Sequence, residues 1–236
     1  MKKTMLLLGW LSLALLPNLA CSNLDSNDNV VENSNFTAQH TGNTAVTNKI
    51  DLDPAIIVKA SNTIRDEVKS DPKLIERLRN PPIVNGQAQY VNQTILDRFL
   101  DVANLNQYSS QITVDFVNKM IAESVEMYKV GADNYIQNSK LLSAGYKDYY
   151  QRLINEDVTV DDFKNEAQFM SLSALEQDNL VYADSLITYL NTSRLVKYWE
   201  VGVIAGMSIG TMIGGYPIGT LVGGIVGGLI GSCFDK

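Results

Sequence analysis

The sequence predicts an all-α protein: a helical bundle preceded by a disordered tether and followed by a glycine-rich hydrophobic helical hairpin. Three observations carry that expectation. From Asp51 to Glu200 apolar residues recur with helical period and almost no strand-like alternation. Residues 22–50 are rich in Asn, Ser and Thr and hold little that a core could bury. The final stretch, Val201 to Phe234, contains no charged residue and repeats glycine every fourth position.

Met1–Ala20 has the three parts of a secretory signal peptide. Lys2 and Lys3 form a basic start, Met5–Leu16 an apolar run, and Leu19-Ala20 a small-residue ending. The run is short for a membrane helix of about 20 residues. Cys21 follows directly, and the rest of the chain holds only one further cysteine, Cys233. This ending resembles the lipobox of bacterial lipoproteins. The resemblance implies cleavage before Cys21 and acylation of that residue. It departs at Asn18, where a leucine is usual; here the leucine stands one place later, at Leu19. The alternative is an ordinary cleaved signal with an incidental cysteine. The resemblance also implies that Ser22, where aspartate favours the inner membrane, directs the protein to the outer membrane. Residues 21–50 then read as a lipid-tethered linker.

The helical domain is expected over residues 51–200. Asp53-Pro54 supplies an N-cap and a first-turn proline for a helix through Ile56, Ile57, Ala60, Ile64 and Val68. Asp71-Pro72 repeats the device, and Pro81-Pro82 stops that short helix. Val91, Ile95, Phe99 and Val102 predict one apolar face, and Ile112, Phe116, Val117, Met120, Ile121 and Val125 another. Gly131 marks a break, followed by a helix through Tyr135, Leu141, Tyr146 and Leu153. Thr159 to Asp162 resembles a capping box opening one long helix through Phe163, Met170, Ala174, Val181 and Leu186. A further helix is expected from Thr192 or Ser193 into the glycine stretch.

The hairpin occupies residues 201–236. Gly202, Gly206, Gly210 and Gly214 form one ladder; Gly215, Gly219, Gly223, Gly227 and Gly231 form a second, shifted by one. Pro217 denies a hydrogen bond to residue 213, so the ladders become two arms about a Gly-Gly-Tyr-Pro turn. Small residues at this spacing let helix backbones approach closely, as in membrane helices. In water each interior glycine costs about 1 kcal/mol against alanine. Eleven glycines between Val201 and Phe234 therefore need lipid or tight helix packing. Charges gather at the base (Lys197, Glu200, Asp235, Lys236), where Tyr198 and Trp199 are candidate interface anchors. The stretch resembles the glycine-zipper segments of bacterial outer-membrane lipoproteins of the rickettsial surface-antigen kind. It is also similar to glycine-rich bacteriocin helices and, more loosely, to the hydrophobic hairpin of pore-forming colicins. These resemblances imply membrane insertion or self-association. The competing expectation is a hairpin buried as the central layer of the bundle.

Composition narrows the function. Net charge is −7, falling to −9 without Lys2 and Lys3, with no basic cluster. That argues against nucleic acid and against electrostatic attachment to anionic lipid. The one histidine, His40, lies in the linker, so histidine-based metal sites and Ser-His or Cys-His catalysis are unavailable to the helical domain. Glu123, Glu126, Glu166 and Glu176 are the only conceivable metal-binding group and read as solvated helix faces; the tyrosines read as packing. No cofactor, metal or catalytic residue is expected. The expected partners are membrane lipid, through Cys21 and the hairpin, and a second copy of the chain. The function expected is that of a non-enzymatic envelope lipoprotein facing periplasm or surface, with a secreted pore-forming toxin or bacteriocin-like protein as the alternative.

Overall fold

A computed structural model describes residues 52–155, 158–193 and 199–234; within these, 191–193, 199–200 and 232–234 are described as backbone only. The all-α expectation holds. α1 (Pro54–Ser70) and α2 (Pro72–Arg79) each begin on an aspartate whose carboxylate accepts a first-turn N–H: Asp53 from Ala55 at 2.9 Å, Asp71 from Lys73 at 3.0 Å. The proline in the first turn lacks only an N–H that would have had no helical partner. The expected α1 face is buried at Ile57, Ala60, Ile64 and Val68.

Between α2 and α3 (Gln93–Val102) the chain makes a small antiparallel ribbon, β1 (Ile83–Val84) and β2 (Gln87–Ala88). It turns on Asn85-Gly86, with φ of 52° and 78°. Asn-Gly is the strongest short hairpin signal a sequence carries, and the helical reading passed over it. In α3 the buried positions are Leu96, Phe99 and Leu100, whereas Val102 is exposed. The helix is thus rotated from the expected face, because Val91 precedes it and is held by Asn118, which accepts the Val91 N–H at 2.8 Å and returns one to its carbonyl at 3.0 Å.

α4 (Val114–Val130) ends at Gly131, whose φ of 87° breaks the helix as expected. The helix expected through Tyr135 and Leu153 is two: α5 (Ala132–Asn138) and α6 (Ala144–Asn155), with Leu141 exposed between them. The long helix expected from Thr159 is three: α7 (Val160–Phe163), α8 (Ala167–Met170) and α9 (Ala174–Ser193). Breaking it lets Phe163 and Phe169 both face Tyr149, at ring separations of 4.6 and 5.4 Å. A straight helix would have buried Met170 and Val181, which are exposed.

α10 (Trp199–Gly214) and α11 (Ile218–Phe234) form the hairpin. They pack along each other through the centre of the fold; α1 and α4 cover α11, while α9, α4 and α5 cover α10. The boundary drawn at residue 200 does not separate two cores. Hairpin residues such as Val203, Leu221 and Leu229 share one buried cluster with Ile57, Met120, Tyr146 and Leu186.

Candidate functional site

Every residue from Gly202 to Thr211 and from Ile218 to Ile230 is buried. The two glycine ladders face each other. A methyl group added at Gly202 would lie 2.7 Å from the Gly227 carbonyl oxygen and 4.0 Å from Gly231 Cα. One added at Gly210 would lie 2.7 Å from Gly223 Cα, and one at Gly223 would lie 2.8 Å from Gly210 Cα. Gly206, Gly219 and Gly227 meet the opposite backbone just as closely. All but the Gly231 distance lie inside the 3.0 Å that real side chains avoid, so the arms touch backbone to backbone. Gly202, Gly206 and Gly210 of one ladder are thus occupied by Gly219, Gly223 and Gly227 of the other, within one chain, whereas an added methyl at Gly215 meets nothing within 4 Å.

The turn follows the expected residues. Gly214 packs under the Phe116 ring, Gly215 takes φ of 73°, and the Tyr216–Pro217 bond is cis. The Pro217 carbonyl accepts from Leu221 N–H at 2.9 Å, so the proline stands just before α11.

Hydroxyl groups inside the uncharged arms are satisfied mostly by the hairpin itself. Ser208 Oγ donates to the Ile204 carbonyl at 2.9 Å and Thr211 Oγ1 to the Met207 carbonyl at 2.8 Å. Thr211 and Thr220 meet across the arms at 2.7 Å. Polar ties also run from the hairpin to the surrounding helices. Ser61 Oγ donates to the Ile225 carbonyl at 3.0 Å. The buried Tyr146 hydroxyl lies 2.7 Å from Ser208 Oγ and donates to Asn179 Oδ1 at 2.5 Å. Burial pushes the Tyr146 phenol up, and Ser208 partly opposes this. Ser61 and Asn179 were not singled out from sequence, and Tyr146 was read there as a packing residue of its helix. Their only signal was the presence of hydroxyls in an otherwise apolar hairpin, each needing a partner.

Cys21 and Tyr198 lie outside the described residues. Trp199 opens α10, and Cys233 lies in α11 with its side chain undescribed. Among the described residues no helix is long and apolar enough to cross a membrane. α10 and α11, with 16 and 17 residues, are about 24 and 26 Å long, short of a hydrocarbon core of about 30 Å.

The four glutamates do not gather. Glu123 accepts from Tyr135, Glu166 from Arg152 at 3.0 Å and Tyr149 at 2.7 Å, and Glu176 from the Ser143 and Ser173 N–H groups at 2.9 and 3.2 Å. Asp178, midway along the stretch from Phe163 to Leu186, is exposed. Comparison with protein-family models, curated proteins and solved structures finds no match.

Proposed function

We propose that the protein is a non-enzymatic lipoprotein of the bacterial cell envelope, anchored through an acylated Cys21 at the outer membrane. In it a sheath of amphipathic helices keeps a membrane-seeking hairpin folded away in water. The observation that carries this reading is the construction of the hairpin. From Val201 to Phe234 it carries no charge, it is buried over 202–211 and 218–230, and its arms meet backbone to backbone. Backbone contact joins the arms, whereas side chains of α1, α4, α5 and α9 make the sheath contacts. The hairpin can therefore leave as a unit and keep its glycine contact in lipid, where small-residue interfaces hold helices together. Ser208, Thr211 and Thr220 bond within it, so those hydroxyls keep a partner on transfer. Arms this short suit a hairpin that enters part of the bilayer or thins it locally.

The same sheathed hairpin favours a second reading, a secreted pore-forming protein. Acylation separates the two. Metabolic labelling with a clickable palmitate should mark the wild-type chain and not Cys21→Ala; an unmarked wild type excludes the lipoprotein. Hairpin release is tested by a staple. A methyl added at Gly224 would lie 2.9 Å from Ile57 Cγ2, so α1 and α11 approach closely enough there for a disulfide, whose β-carbons sit about 3.5–4.5 Å apart. Ile57→Cys with Gly224→Cys, in a Cys233→Ala background, should enter vesicles only when reduced, read by protection of 201–236 from added protease. Equal behaviour of the oxidised and reduced forms would reduce the hairpin to a structural core.

A further inference from the structure

We infer that the folded domain meets the bilayer end-on, with the turn of the glycine hairpin foremost. This deepens the lipoprotein reading by naming the surface that contacts lipid, and it rests on that reading for the position of the anchor.

Between the buried stretches 202–211 and 218–230 the turn comes to the surface. Met212, Ile213, Gly215, Tyr216 and Pro217 are half-buried and Gly214 is exposed. Apolar side chains from other elements extend this end. Leu141, 51% exposed, and Val130, 43% exposed, line one groove with Ile213 and Tyr135. Phe116 packs half-buried on Gly214. The charged residues of that groove are two lysines, Lys119 and Lys140, and two glutamates, Glu123 and Glu126. Asp53 and Asp115 stand nearby on the surface. This end has no basic excess, so its contact with lipid is hydrophobic rather than ionic.

The path of the chain selects the occupant. Leu52 N–H donates to the Tyr216 hydroxyl at 3.4 Å, so the polypeptide from Cys21 joins the fold beside the turn. Residues 22–51 separate the proposed anchor from that point. An acylated Cys21 therefore attaches the domain at its turn end and raises the effective concentration of lipid there. The opposite end of α10, at Val201, lies about 18 Å from Ile213 along the helix.

The test uses the full mature chain, with Cys233→Ser, in vesicles of phosphatidylethanolamine and phosphatidylglycerol carrying a nitroxide-labelled lipid. Single thiols at Leu141→Cys, Ile213→Cys and Val201→Cys carry an environment-sensitive dye; circular dichroism confirms each fold. Several-fold stronger quenching at 141 and 213 than at 201, unchanged by added salt, is the expected result. Equal quenching at both ends, or stronger quenching at 201, overturns the inference. So does self-quenching among labelled chains without lipid quenching, which would assign the turn to a second copy. Palmitate incorporation at Cys21 is read on the same samples. Its absence sinks the anchor, while the quenching pattern of the same variants with Cys21→Ser, added to vesicles, still decides the docking end.

Discussion

At Gly210 an added methyl would stand 2.7 Å from Gly223 Cα, and neither backbone can retreat without parting the arms. Gly210→Ala should therefore destabilise the fold by about 3 kcal/mol, as overpacking of a tight core does. Gly86 is the contrast. Its φ is 78° but an added methyl meets nothing within 4 Å, so Gly86→Ala should cost only about 1 kcal/mol from the backbone conformation. Urea unfolding of the two variants measures both. Equal losses would show that close approach is not what the ladder is for. The spacing of the ladder was legible residue by residue, because a four-residue repeat puts glycines on one helix face. Gly224 was not. It lies off the ladder and faces Ile57, a neighbour brought by tertiary packing from 167 residues away in the chain.

Among the elements, α9 shows how a local signal can be present and overlooked. Its start is Ser173, and Ser173-Ala174-Leu175-Glu176 is a capping box. Glu176 N–H donates to Ser173 Oγ at 3.3 Å, and the Glu176 carboxylate accepts the Ser173 N–H at 3.2 Å. The apolar period from Phe163 to Leu186 suggested continuity, but the cap and the aromatic contacts of Phe163 and Phe169 divide it. Burial raises the Glu176 pKa, yet hydrogen bonds from Ser143 and Ser173 outweigh it and hold the carboxyl below its usual 4.5. A depressed acid pKa gives stability that is present above the unfolded value and lost as pH falls through the lower folded one. Glu176→Gln should cost about 1–2 kcal/mol at pH 7. That deficit should narrow as pH drops below 4.5, read from urea midpoints across an acid series. A deficit constant down to pH 3 would show that the charge of Glu176 contributes nothing to the cap.

For the whole molecule, the hairpin is both the last segment of the chain and the middle layer of the fold. α1 and α4 bury their apolar faces on α11, and α9 and α5 pack on α10. Removing residues 201–236 should leave helices with no common core, so cooperative thermal melting should disappear even where far-ultraviolet helicity persists. A truncated chain that melts as sharply as the full one would mean that the surrounding helices are self-sufficient.

The sequence alone determined the class of fold, the first two helices with their Asp-Pro starts, the two arms and the turn at Gly214-Gly215 and Pro217. These follow from short-range rules: capping, proline geometry and the spacing of small residues. Only the tertiary structure decided that the hairpin lies inside the bundle, that the ladders face each other, and that Leu52 brings the chain to the turn. An uncharged, glycine-seamed hairpin satisfies its backbone equally well in lipid and in a protein core, and nothing local to its sequence chooses between them. The choice here falls to apolar faces on α1, α4, α5 and α9, which must cover something and find the hairpin.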